Sequence, residues 1–254
     1  MRKIILLLAL LITSNYLFAS GTIYQAGNIT SLTRGVYSSD ISLKDLERKG
    51  QYGLGTIEGA KGEMVIFKGK AYLSDIRGKA VPLKGNITVP FADVFSFSKP
   101  QINSNYNDLT ISKVLSTIKD KLHGDNYFYI IKIKGKFSKI HARTIPPAQK
   151  GYTLSQWVSK NQKFHDLKNV EGTLIGVYSP KYLSSIAVPG FHFHFITKDL
   201  SHVYHVYSFK SAQVNVQIEK INNFTMLLPN SKQYQKTNIE TFSHSTISKM
   251  EEGK

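Results

Sequence analysis

Residues 190–197 read GFHFHFIT, and bulky aromatics alternate there with histidines at a strict period of two. In a β-strand, residues i and i+2 point to the same face. Phe191, Phe193 and Phe195 therefore project to one side of a strand, and His192 and His194 to the other. The next residues, TKDLS, supply a turn, and HVYHVYSF returns with two more histidines, His202 and His205. A strand that is apolar on one face and nitrogen-rich on the other needs a core on one side and a polar purpose on the other.

The rest of the chain repeats the strand style. Residues 62–75 form two alternating runs about Lys68-Gly69, a hairpin signal. Further runs at 86–97, 127–144, 172–180, 185–196 and 202–218 are rich in Tyr, Phe, Val and Ile, which suit a half-buried pleated surface. Helices are few. Ile111, Val114, Leu115, Ile118 and Leu122 share one helical face, and Gly124 lies just past them. Ser42 with Asp45, Thr153 with Gln156, and Thr237 with Glu240 have the spacing of N-terminal capping boxes, the last opening a helix through Ile247 and Met250. The reading is an α+β fold with two β-rich halves, residues 21–145 and 146–254, divided at Pro146-Pro147 because proline cannot continue a ladder.

Residues 1–20 read as an export signal. A basic MRK precedes nine apolar residues, 4–12, and small residues stand near Ala19 and Ser20. That run is too short for a comfortable membrane span, so the mature protein is expected to be periplasmic or secreted, with no stable membrane anchor after cleavage. The chain has no cysteine, which excludes disulfides, thiolate ligands, a cysteine nucleophile and lipoprotein attachment. Net charge is +16, and loss of residues 1–20 removes Arg2 and Lys3 and no acid, leaving +14. The lysines are scattered, as in IKIKGKFSKIH and SKNQKFHDLK, without a compact basic run. That pattern is a solvated lysine surface, and no nucleic-acid partner is expected.

With no cysteine, a zinc-type site must use histidine and carboxylate. If the turn is centred between Asp199 and Leu200, His194 lies opposite His205 and three imidazoles share a face, with His202 pointing away. A turn of odd length reverses this and brings His202 in. Either way, three histidines on adjacent strands suit a tetrahedral metal with one open position, the catalytic arrangement.

These residues resemble the alpha-acetolactate decarboxylase family. Residues 176–209, with GFHFH followed by a third histidine on the next strand, are similar to that family's signature. GLGTIEGAKGEMVIFKGKAY (residues 53–72) and IKIKGKFSKIHARTIPPAQKGY (residues 131–152) match other stretches of it in the same order. Lys61 stands where the family often has an acidic residue or Asn, and the glycine common before the third histidine is missing. The resemblance implies His192, His194 and His205 as ligands of one divalent metal, Zn2+ among the candidates, so His205 is taken over His202. It implies Glu63, Arg143 and a carboxylate of the C-terminal tail as catalytic groups; Glu251 fits the last, with Glu252 beside it. Thr56, with Arg143, is implied near the substrate. His123, His141, His165 and His244 match no motif and read as surface or helix-end residues.

The implied reaction is decarboxylation of 2-acetolactate, a small 2-hydroxy-3-oxo acid, to acetoin by way of a metal-stabilised enediolate, in a homodimer. No organic cofactor is expected: the spaced glycines of GLGTIEG lack the dinucleotide fingerprint. Two other classes compete. One is a different exported three-histidine metalloenzyme, such as a cupin-like oxygenase or hydrolase, which has no need of Arg143 or a C-terminal Glu. The other is a non-catalytic basic binding module.

Overall fold

The computed structural model describes residues 21–122, 124–239, 247, 250 and 251. Residues 1–20, expected to be an export signal, and His123, His244 and Glu252 lie outside the described residues. The strands are β1 (Thr22–Ala26), β2 (Tyr52–Thr56), β3 (Met64–Phe67), β4 (Lys70–Ser74), β5 (Ala80–Pro82), β6 (Phe91–Phe95), β7 (Ile102–Asn107), β8 (Phe128–Thr144), β9 (Lys163–Ser179), β10 (Gly190–Thr197), β11 (Val203–Ile221) and β12 (Asn223–Leu227). The helices are α1 (Ile29–Thr33), α2 (Leu43–Glu47), α3 (Ile111–Lys121), α4 (Leu154–Asn161) and α5 (Lys232–Lys236). The protein is α+β with two sheets, as the sequence implies.

One sheet has seven strands in the order β12-β1-β6-β2-β3-β4-β5, and the other has five in the order β10-β9-β8-β11-β7. The second sheet also curls back on itself, because the start of β11 pairs with both β8 and β10. The irregular register of β11 against β8, between Val206 and Gln213, lets so long a strand bend. The chain changes sheet between β6 and β7 rather than at Pro146-Pro147. The proline pair lies between β8 and β9, which are neighbours in one sheet, and β12 returns to pair in parallel with β1.

Strands β8, β9, β10 and β11 of the second sheet divide their side chains between two cores. Tyr129, Ile131, Ile133, Phe193, Phe195, Val206 and Phe209 pack inside the curl, where α3 adds Val114 and Ile118. Ile130, Ile175, Val177, Ile196 and Val203 face the other way and meet Ile23, Leu54, Val65 and Phe95 of the seven-stranded sheet. The aromatic side of β10 thus fills the curl, and its histidine side looks into the seam between the sheets. Gly172 and Gly176 of β9 make room for this, since a Cβ on either would collide with the rings of Phe195 and Phe193.

The β3–β4 hairpin turns through Lys68 and Gly69, both with positive φ (53° and 76°), the geometry that matches strand twist. The α4 capping box forms as the sequence implies: the Gln156 N–H donates to Thr153 Oγ1, and the Thr153 N–H to Gln156 Oε1. Two other boxes do not. Ser42 stands at the N-cap of α2 without a side-chain cap bond. Thr237 closes α5 as its C-cap instead of opening a helix, and Glu240 lies outside the described residues. Ile247, Met250 and Glu251 are helical and buried, so the apolar pair does dock. Strands β1, β2, β5, β7 and β12 and the first half of β9 escaped the sequence reading, because polar or glycine-containing runs such as INSNYN and YGLGT carry little apolar alternation.

Candidate active site

Strand register builds the centre of the site. His194 pairs with His205 across β10 and β11, which settles the turn in favour of His205. His205 in turn pairs with Arg143 across β11 and β8. One row across three strands therefore delivers two imidazoles and a guanidinium to the seam, and His192 stands two residues from His194 on the same face. All four are nearly inaccessible. His202 lies apart, bonded to the Ser201 hydroxyl and stacked on Tyr204.

The seven-stranded sheet supplies the opposite wall. Gly62 has φ 123°, and a Cβ there would collide with the Ser74 carbonyl, so a residue without a side chain lets the chain turn into β3. The next residue, Glu63, donates its N–H to Ser74 Oγ, and Thr56 Oγ1 donates to the Gly62 carbonyl at 2.8 Å. Glu63 is thereby aimed inward, at 4% exposure, although an isolated glutamate in a hairpin is ordinarily a surface group. Its Oε1 accepts from Arg143 Nη1 at 2.8 Å, and its Oε2 lies 3.4 Å from His194 Nε2. Thr56 lines the same cavity.

Glu251 closes the site from the C-terminal segment. Its Oε2 lies 3.7 Å from His192 Nε2 and 3.8 Å from His205 Nε2, and its Oε1 is 4.0 Å from Arg143 Nη2. Ile247 and Met250 hold the segment by packing among Ile29, Leu32, Leu154 and Val158.

The imidazole hydrogen bonds identify which nitrogens are free. His194 Nδ1 faces the Met64 carbonyl at 2.8 Å, and a carbonyl only accepts, so Nδ1 carries the proton and Nε2 a lone pair. His205 Nε2 faces the Glu251 backbone carbonyl at 3.1 Å, so by the same argument His205 Nδ1 carries a lone pair. These two lone pairs stand 3.3 Å apart, and His192 Nε2 is 3.2 Å from His194 Nε2. Lone pairs that face each other at this distance repel unless a cation lies between them. A tetrahedral zinc with bonds of about 2.0–2.1 Å would separate its nitrogen ligands by about 3.3 Å. The three histidines therefore fit a divalent metal, and each fixed N–H partner is the kind of outer contact that orients metal-bound imidazoles.

Electrostatics agree with that chemistry. Burial, helped by neighbouring histidines and Arg143, pushes His192 and His205 well below the usual histidine range, and burial takes His194 to about 3. All three are neutral, as ligation requires. Burial raises Glu63, with Arg143 pulling the other way. Burial lifts Glu251 to about 7, opposed by Arg143 and reinforced by Glu63. For Arg143, burial works against the charge, but Glu63, Tyr207 and Glu251 outweigh it and hold the guanidinium protonated. Among the described residues, Arg143 Nε, His192 Nδ1 and Glu251 Oε2 have no hydrogen-bond partner although buried.

The residues implied at the sequence level, Thr56, Glu63, Arg143, His192, His194, His205 and Glu251, all line one cavity. Its apolar wall, with Ile29, Leu32, Phe91 and Leu154, was not foreseen. Neither was the Met64 carbonyl, a backbone group with no sequence signature. Tyr207, whose ring packs edge-on against His205 at 5.3 Å, had a signal: it stands two residues beyond His205 and so on the same face. His141 and His165 take no part; His141 pairs with Asp166 near the surface, and His165 bonds Thr144.

Residues 23–241 match the family model for alpha-acetolactate decarboxylase. The chain belongs to the alpha-acetolactate decarboxylase family. The alpha-acetolactate decarboxylase of Brevibacillus brevis is 33% identical over 229 residues, which cover 90% of this chain and 80% of that protein. That of Bacillus subtilis is 32% identical over 86% of each. The crystal structure of the enzyme from Bacillus subtilis strain 168 superposes with a TM-score of 0.85 at 31% identity, over 92% of this chain and all of that one. Family membership makes this chain a carboxy-lyase.

Proposed function

We propose that this cavity converts 2-acetolactate to acetoin and CO2. The observation that carries the reading is the pair of facing imidazole lone pairs in a pocket that also holds one guanidinium and two carboxyl groups. A divalent cation, which we take to be zinc, would be held by His192, His194 and His205 and supplies Lewis acidity toward the substrate's ketone and hydroxyl oxygens.

The remaining steps belong to the chain's own groups. Arg143 keeps one arm on Glu63, and its Nε has an N–H to spare, so it can hold the substrate carboxylate or the oxygen that gains charge. When the bond to the carboxyl carbon breaks, its electron pair stays on the former C2, conjugated with the ketone, and CO2 leaves. That carbon then needs a proton. Glu251 is the group suited to deliver it, because burial favours its protonated form near neutral pH and its Oε2 is otherwise unpartnered. Glu63, ion-paired with Arg143, orients the guanidinium. The apolar wall excludes water and strengthens each of these interactions.

A different three-histidine metalloenzyme would have no use for a buried Arg143 facing a C-terminal Glu251. A module scavenging metal at its surface would not bury all three imidazoles. We also propose that residues 1–20 direct export to the periplasm or beyond, and that the enzyme is a homodimer acting on a small molecule without nucleic acid or a membrane anchor. The primary test is acetoin formation from acetolactate before and after chelation and after zinc is restored. Metal-restored protein that makes no acetoin sinks the reading. An intact N-terminus on protein recovered outside the cytoplasm, by mass analysis, sinks the cleavage.

A further inference from the structure

Outside the cavity, two buried oxygens lack a donor among the described residues: Gln25 Oε1 and Asp93 Oδ1. Their residues stand directly opposite each other across β1 and β6. Side chains opposite in an antiparallel pair share a face, with Cβ atoms about 4.5–5.5 Å apart. The Gln25 amide cannot turn over to relieve its oxygen. Its Nε2 donates to the Gly27 carbonyl at 2.7 Å and to the Ile186 carbonyl at 2.9 Å. Both amide protons are thereby used, and an oxygen in that place would meet two acceptors.

The row through Asp93 is otherwise apolar. It runs Gln25, Asp93, Leu54 and Val65 across four strands. Along β6 the same face carries Phe91 and Phe95. Ile175, Val177 and Ala187 belong to the core that fills this side of the seam. The ionisable groups of this face lie at its two ends. Past Phe91 is the cavity, with Glu63, Arg143, Glu251 and the three histidines. Beside Phe95 is Tyr52, with Lys132 Nζ over its ring. A carboxylate between them would be a bare buried charge, and burial raises Asp93 to about 7. A carboxyl that keeps its proton is a donor, and one proton joins both orphaned oxygens.

We propose that Asp93 is protonated in the folded protein and donates to Gln25 Oε1, which makes it a positioning residue for the turn that leads into β10. The Gln25 amide is then fixed with its nitrogen on Ile186, in that turn. The Ile186 carbonyl also accepts from the Ile29 N–H at 3.0 Å, and Thr30 Oγ1 donates to the Ser185 carbonyl at 2.7 Å. The same turn therefore braces α1, whose Ile29 and Leu32 form part of the cavity's apolar wall. Loss of the proton reverses the preference. A carboxylate attracts the amide N–H and repels the amide oxygen, so the amide turns over and releases Gly27 and Ile186. Because the folded value lies above the ordinary 3.8, the tie is present at low pH and is lost as pH rises through about 7. The alternative is a buried water that donates to both oxygens, which leaves the carboxyl ionised.

The test uses the full-length protein and two readouts. Infrared difference spectra of the parent against Asp93→Asn should show the C=O stretch of a protonated carboxyl at pH 6, fading as pH passes about 7. Gln25→Leu should shift that band, because the carboxyl loses its acceptor. Should Gln25→Leu not fold, the 15N resonance of the Gln25 side-chain amide replaces it, and should move near pH 7 in the parent but not in Asp93→Asn. The second readout is amide hydrogen exchange of residues 183–189 by mass spectrometry, with parent and Asp93→Asn compared at equal pH. Asn keeps a donor toward Gln25 at every pH. The two should match at pH 6, and the parent should exchange about fivefold faster at pH 8.5, the loss of one neutral hydrogen bond. A missing carboxyl band at pH 6 overturns the proposal in favour of the water. A band unmoved by Gln25→Leu, or an amide resonance unmoved by pH, overturns the bond to Gln25. Spectra as expected with an exchange ratio constant in pH overturn the positioning role.

Discussion

The β10–β11 hairpin and the C-terminal segment deliver equally buried side chains to one cavity and are held there by different means. The hairpin is laced into a sheet on both sides, with β10 paired along its whole length to β9 and the start of β11 to β8. Phe193 and Phe195 anchor it from behind. The described residues of the C-terminal segment contribute two buried apolar side chains and two backbone acceptors. Metal ligands have to stay within a few tenths of an ångström of their places, and a hairpin paired on both sides provides that precision.

The largest expected effect tests the hairpin's role. His205→Ala should lose most of the bound metal and nearly all activity, and His202→Ala should keep both, with metal counted by mass spectrometry. The reverse result would mean that the solution register differs from the His194–His205 pairing. The next tests the C-terminal segment. Deleting residues 248–254, or replacing Glu251 by Gln, should cut kcat by about 10²–10⁴-fold, the usual contribution of a positioned proton donor. Metal content should be retained, and full-rate turnover by the truncated chain would make the segment dispensable. Glu63→Gln should fall in the same range, because it also frees Arg143.

Stability sharpens the contrast. Gly176→Ala presses a methyl group into the Phe193 ring and should destabilise the fold by about 1–3 kcal/mol in denaturant unfolding, as overpacked cores do. The smallest effect concerns a third buried carboxyl, Asp93 of β6, which burial raises to about 7 and whose Oδ1 has no partner. Its folded value lies above its ordinary 3.8, so it favours the folded state most below pH 4 and loses that contribution as pH rises toward about 7. Asp93→Asn should therefore be more stable than the parent above pH 7, with the gap closing as pH falls. A constant gap across that range would show that Asp93 does not titrate there.

Much of this architecture is legible in short runs. The period of two in GFHFHFIT separates the aromatic and histidine faces without reference to the rest of the fold, and Thr153 with Gln156 announces a helix start that forms. Strand pairing partners are less legible. Polar β7 joins the five-stranded sheet along the outer side of β11, and β12 crosses back to the seven-stranded one, because backbone hydrogen bonds rather than side-chain pattern hold such edges. Thr237 shows the same limit at a helix end, where capping residues alone do not say which side of them the helix lies on.

The sequence by itself determined the chemistry available: no thiol, three histidines on adjoining strands, and the likeness to a family that pairs them with Glu63, Arg143 and a C-terminal glutamate. Tertiary structure alone decided which of His202 and His205 joins the cluster, which nitrogens are free, and that two glutamates and an arginine far apart in the chain lose their water together. The physical reason is locality. Side-chain direction along a strand follows from the backbone of a few residues, while turn register, tautomer and burial depend on partners that only the folded chain brings into contact.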